Sequence, residues 1–143
     1  MEAPKSPDDA AESTRRWWKC PGIVYFVAAG TPPVAVKIGM AAQTGQNTLR
    51  SSVIRRLSQI QSSNHELIEL LGVIYLTDGE YPTREAERIE RELHTEFEHD
   101  RRFKEYGRGA EWFNASETLL AKVKAIASAP ESLGLPKNFS EAR

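Results

Sequence analysis

The chain has one cysteine, Cys20, in 143 residues. No internal disulfide and no multi-cysteine zinc site is therefore possible. It has no apolar run long enough to cross a bilayer and no basic-then-apolar leader, so a cytoplasmic location is expected and no membrane partner. Without secretion, the Asn114-Ala115-Ser116 and Asn138-Phe139-Ser140 glycosylation patterns carry no weight. Neither sign of charge dominates: 19 basic against 20 acidic residues leave a net charge of −1. A polycation that holds nucleic acid by bulk electrostatics is excluded. What the chain does have is 40% hydrophobic and 27% charged residues, the balance of an ordinary folded domain, at a length that suits one core. Its basic residues are unevenly spread, with Arg50, Arg55 and Arg56 in one group and Arg101, Arg102, Lys104 and Arg108 in another.

The expected organisation is a disordered polar tail over 1–15, a domain over 16–128 opened by Trp17 and Trp18, and a flexible tail over 129–143. Ile23 to Ala28 and Val34 to Gly39 read as the strands of a hairpin around Gly30-Thr31-Pro32-Pro33. Leu49, Val53, Leu57 and Ile60 recur at helical spacing and predict a helix from Leu49 to Ser62. Leu67 to Leu76 reads as a third strand, central because it is mostly apolar. A second helix is expected from a Thr83 cap to about His99, with the stripe Ala86, Ile89, Leu93 and Phe97. Asn114 with Glu117 suggests a capping box for a last helix through Ala127. The fold class is α/β (α+β): a small three-stranded antiparallel sheet flanked by about three helices.

Three positions carry candidate chemistry. Alternation along the hairpin puts Tyr25 and Lys37 on one sheet surface above the small residues Ala35 and Gly39. That arrangement suits a site, and equally an edge hairpin with a half-buried tyrosine and a solvated lysine. On the first helix Arg56 borders the apolar stripe while Arg55 points nearly the opposite way. A packed arginine presents a fixed fork to phosphate or carboxylate, or else snorkels beside an acid. On the second helix Glu90 lies closest to the stripe, with His94 one turn later. The pair suits a hard divalent cation, or a routine helix-surface contact.

Five strings in order resemble the GIY-YIG nuclease superfamily, in particular its small phage-type DNA-binding branch: Gly22-Ile23-Val24-Tyr25-Phe26, Val36-Lys37-Ile38-Gly39, Arg56-Leu57-Ser58-Gln59-Ile60-Gln61, Glu90-Arg91-Glu92-Leu93-His94 with Phe97, and Glu111-Trp112-Phe113. The resemblance spans about Gly22 to Ala125. It implies a GIY-YIG-like fold and a metal-dependent DNA endonuclease, with Tyr25, Arg56 and Glu90 serving phosphodiester hydrolysis and one Mg²⁺ or Mn²⁺ at Glu90. Lys37 stands where the superfamily has its second tyrosine. As a cation near Tyr25 it would favour the phenolate, allowing Tyr25 to orient or deprotonate water. His94 would assist proton transfer or tune the metal carboxylate, and Arg50, Arg55, Arg101, Arg102 and Lys104 would contact DNA phosphates. The alternatives are a non-catalytic DNA-binding module and a protein-interaction domain that displays Trp17 and Trp18.

Overall fold

A computed structural model describes residues 6–102 and 111–138. Along the chain run α1 (Glu12–Trp18), β1 (Gly22–Ala29), β2 (Ala35–Ala42), α2 (Leu49–Ser62), β3 (Ile68–Leu76), α3 (Pro82–Glu96), β4 (Trp112–Asn114) and α4 (Glu117–Ile126). The four strands form one antiparallel sheet in the order β3-β1-β2-β4. The expected architecture of three strands and about three helices is therefore corrected to four strands and four α-helices among the described residues. The additional strand is only three residues long, too short to show a period of two. The additional helix lies partly in the tail expected to be disordered. It is held by Arg15, which donates to the carbonyls of Pro7 and Ala10, and by the buried Trp18, whose indole N–H lies 2.7 Å from the Glu87 carboxylate. Trp18 is thus lost to any exposed aromatic patch, while Trp17 remains exposed.

Both faces of β1 are covered, so Gly22 to Ala28 are all buried. On one face Ile23, Tyr25 and Val27 pack with Val53, Leu57 and Ile60 of α2. On the other, Val24 and Phe26 pack with Ala86 and Leu93 of α3 and with Leu119 and Val123 of α4. The close seat of α3 on the sheet requires Gly22, where a Cβ would stand 2.6 Å from the Pro82 carbonyl oxygen. The central strand is β1 and not β3 as expected: the apolar run of β3 lies at an edge that the C-terminal segment covers. Val73 and Ser128 exchange backbone bonds there, Leu70 N–H donates to the Lys137 carbonyl, and Leu135 is buried. Leu135 and Lys137 fall in the tail over 129–143 that the sequence predicts to be flexible. Thr83 does not cap α3 either. It is buried in the first turn, with its hydroxyl donating to the carbonyls of Cys20 and Pro21. Ser116, not Asn114, caps α4 by accepting from Leu119 N–H. Among the described residues no helix is long and apolar enough to cross a membrane.

Candidate functional site

The hairpin register places Tyr25 opposite Gly39 and Val27 opposite Lys37, so all four share the face that α2 covers. Tyr25 lies flat against β2: a Cβ built on Gly39 would overlap its ring and hydroxyl. Gly39 is therefore the seat of the tyrosine, and the next outward residue on that face is Lys37. α2 delivers Arg56 to the same place. Its start is fixed by a reciprocal cap in which Thr48 Oγ1 accepts from Ser51 N–H and Ser51 Oγ accepts from Thr48 N–H. Tyr25, Lys37, Arg56, Gln59 and Glu111 line one cleft of about 340 Å³. Arg55, expected to face away, is exposed but lines the adjoining hollow together with Arg56.

The charges in the cleft are arranged differently from the sequence expectation. Lys37 Nζ lies 2.6 Å from the Glu111 carboxylate. Burial pushes the Tyr25 phenol up to about 12; Arg56 opposes this, while Glu111 and Glu90 add to it. The idea that Lys37 favours a phenolate is therefore corrected. Lys37 is committed to Glu111, and the cation whose field lowers the Tyr25 value is Arg56. At neutral pH Tyr25 is a protonated donor. Glu90 approaches from α3, and burial, with Glu111 and Glu87 nearby, pushes its carboxyl up to about 7. It makes no hydrogen bond or ion pair among the described residues.

Glu90 is thus a desolvated carboxyl on which Glu111 and Glu87 outweigh the opposing fields of Lys37 and Arg91. A hard divalent ion held by one or two carboxylates, with its remaining ligands from water and phosphate, fits that donor set. An all-protein cage does not: among the described residues no group of three or more His, Cys, Asp or Glu side chains is placed to hold a metal.

The other candidates separate. His94 Nε2 lies 2.9 Å from the Ile38 carbonyl, with the ring 5.1 Å from that of Phe113. Ile38 N–H donates to the Glu111 carbonyl at 3.0 Å, so His94 satisfies the strand carbonyl where the pairing with the Glu111 segment ends. Burial holds the imidazole below its ordinary pKa, and its Ile38 bond only partly offsets this. His94 thus ties the edge of the strand. Arg101 pairs with Glu98 at 3.1 Å, and its guanidinium lies over the Phe113 ring at 5.5 Å. Arg102 is exposed and donates to Asn114 Oδ1, and Arg50 donates to the Gly134 carbonyl. Lys104 lies outside the described residues. The sequence presents Glu111 and Trp112 only as part of a resembling string. Their place at the site follows from β4 pairing Trp112 with Lys37, which no local periodicity announces.

The family model that matches this chain is the T5orf172 domain, over residues 22–128. It is a different family from the GIY-YIG superfamily, which has no match, so the resemblance drawn from the five short strings is corrected. No curated protein and no solved structure matches.

Proposed function

From the membership of this chain in the T5orf172 domain family, a nuclease-like and DNA-binding family, we propose that the cleft binds DNA and hydrolyses a phosphodiester with the help of one divalent cation. The observation that carries this reading is the meeting of Tyr25, Lys37 and Arg56 in one cleft within the field of the unpaired Glu90. Arg56 supplies a guanidinium, free of ion pairs among the described residues, to the phosphate as its charge grows. Tyr25, protonated and held by Gly39, donates through its hydroxyl and orients either the phosphate or the attacking water. Lys37 takes a second phosphate oxygen in exchange for Glu111. Glu90 would hold Mg²⁺ or Mn²⁺, with Glu111 as a second oxygen donor. The ion supplies Lewis-acid polarisation of the phosphate.

One feature favours a DNA-binding module without catalysis: the Tyr25 phenol, pushed up to about 12, is no base at neutral pH, and the carboxylate that lines the cleft, Glu111, is paired with Lys37. The two readings separate in an assay that follows DNA affinity and strand scission together. Arg56→Ala is expected to slow Mn²⁺-supported nicking on the order of a hundredfold. Arg55→Ala is expected to weaken binding modestly and leave the saturated rate unchanged. DNA binding without scission in either cation would leave only the binding module, and equal losses from the two substitutions would remove the special role of Arg56.

A further inference from the structure

The cleft does not end at the site. Toward the Ala42 end of β2 it shares Met40, Arg56 and Gln59 with a hollow of about 280 Å³ that reaches Trp17. Toward the Ala35 end it shares Ser63, Asn64 and Trp112 with a hollow of about 460 Å³ that reaches Arg102. Together the three form a trough between α2 and β2. Eight residues of β2 at about 3.3 Å each make it roughly 26 Å long. Its walls carry Lys37, Arg55, Arg56 and Arg102 against Glu66 and Glu111, an excess of positive charge in a chain whose net charge is −1.

Two indoles belong to this trough. Trp112 lines both the cleft and the larger hollow, standing as the partition between them, with the Lys37 ammonium 5.7 Å from its ring centre. Trp17 is 36% exposed at the other end. A cationic groove interleaved with aromatic rings matches the needs of an unpaired strand, whose phosphates follow the charges while its bases stack on the rings. A duplex keeps its bases stacked on one another and would meet these indoles only with sugar and phosphate. Resting on the DNA reading above, we propose that the trough is a track for single-stranded DNA, with one unpaired base stacked on Trp112 beyond the reacting phosphate and another on Trp17. At about 3.4 Å per stacked nucleotide, and up to twice that when extended, the track holds on the order of four to eight nucleotides.

The test uses the full chain, a labelled twelve-residue oligothymidylate and a duplex of the same length, with anisotropy for affinity and tryptophan emission for stacking. The single strand is expected to bind at least tenfold more tightly than the duplex and to quench tryptophan emission. Trp112→Leu should weaken single-strand binding on the order of tenfold and remove most of the quench. Trp112→Phe, which keeps a ring in β4, should recover most of the affinity and guards against a folding defect. Four phosphate contacts at about 0.7 each predict a log–log salt slope near −3 for the single strand. Equal or tighter duplex binding, or unchanged single-strand affinity in a folded Trp112→Leu protein, overturns the track while leaving the DNA reading intact. Failure to bind either DNA overturns both.

Discussion

Gly39→Ala is the smallest change that reaches the site without touching a charged or hydroxyl group. The new methyl would occupy space held by the Tyr25 ring and its hydroxyl, so one of the two must move. Tyr25 is 6% exposed and packed among Val53, Leu57 and Val73, and the cavity beside it on the core side, lined by Ile23, Ala41, Val53 and Leu57, holds only about 10 Å³. The larger space open to the ring is the cleft. Overpacking of this kind costs roughly 1–3 kcal/mol. For a chain of this size that corresponds to a melting temperature lower by about 3–10 °C. The effect should be coupled to the tyrosine. Tyr25→Leu alone costs about 2–4 kcal/mol in lost packing. In its background the alanine methyl meets no ring, so the double variant should be less destabilised than the sum by about 1 kcal/mol or more. Thermal denaturation by circular dichroism on the four proteins measures the cycle. Strict additivity, or a Gly39→Ala protein as stable as the wild type, would refute the stacked geometry of Tyr25 on β2.

The Glu90 carboxyl, pushed up from 4.5 to about 7, binds a proton more tightly in the folded chain than in the unfolded one. Its contribution to stability is complete below about pH 4.5 and is lost as pH rises through 7. Glu90→Gln should therefore melt at the wild-type temperature near pH 4.5 and above it at pH 8, in metal-free buffer; a gain independent of pH would contradict the assignment. His94 has the opposite sign. Its depressed pKa means that folding loses stability as pH falls below the usual histidine range, and His94→Ala should flatten that acid limb. The same substitution, by leaving the Ile38 carbonyl without its imidazole partner, should cost about 1–2 kcal/mol in urea denaturation at pH 7.5. Glu111→Gln frees Lys37 and removes a charge that raises both Tyr25 and Glu90. It should tighten metal-free DNA binding severalfold, and a weakening would argue against Lys37 as a phosphate contact.

Local patterning was legible where a single element decides it. The spacing of Leu49, Val53, Leu57 and Ile60 predicts α2 with the bounds observed, because apolar period and cap agree. Alternation on the hairpin assigns Tyr25 and Lys37 to one face in the register that pairs Tyr25 with Gly39, whereas a slip of one residue would separate them. The limits arise where a distant partner decides. The apolar run of β3 reads alike whether its neighbour is another strand or the C-terminal segment that in fact covers it. Whether Lys37 is a free cation depends on Glu111, and Glu111 reaches it only because a three-residue strand pairs at the sheet edge. The same distance effect governs Tyr25, whose phenol is controlled by burial under α2 rather than by its strand neighbour. Arg101 and Arg102 are adjacent and equally basic in sequence, yet one is absorbed by Glu98 and Phe113 and the other lies open at the trough. The short strings that resemble the GIY-YIG superfamily are each too brief to assign a family, whereas the match over residues 22–128 does.

Strand scission by Glu90→Gln, compared with the wild type at equal DNA occupancy, tests the proposed hydrolysis most directly. The wild type is expected to nick supercoiled plasmid with Mg²⁺ or Mn²⁺ and to stop on chelation. Glu90→Gln, with its fold and DNA affinity retained, is expected to leave the plasmid intact at any metal concentration. Nicking by the variant at the wild-type rate under saturating metal would contradict the role of Glu90 and, with it, the metal-assisted reaction assigned to the cleft.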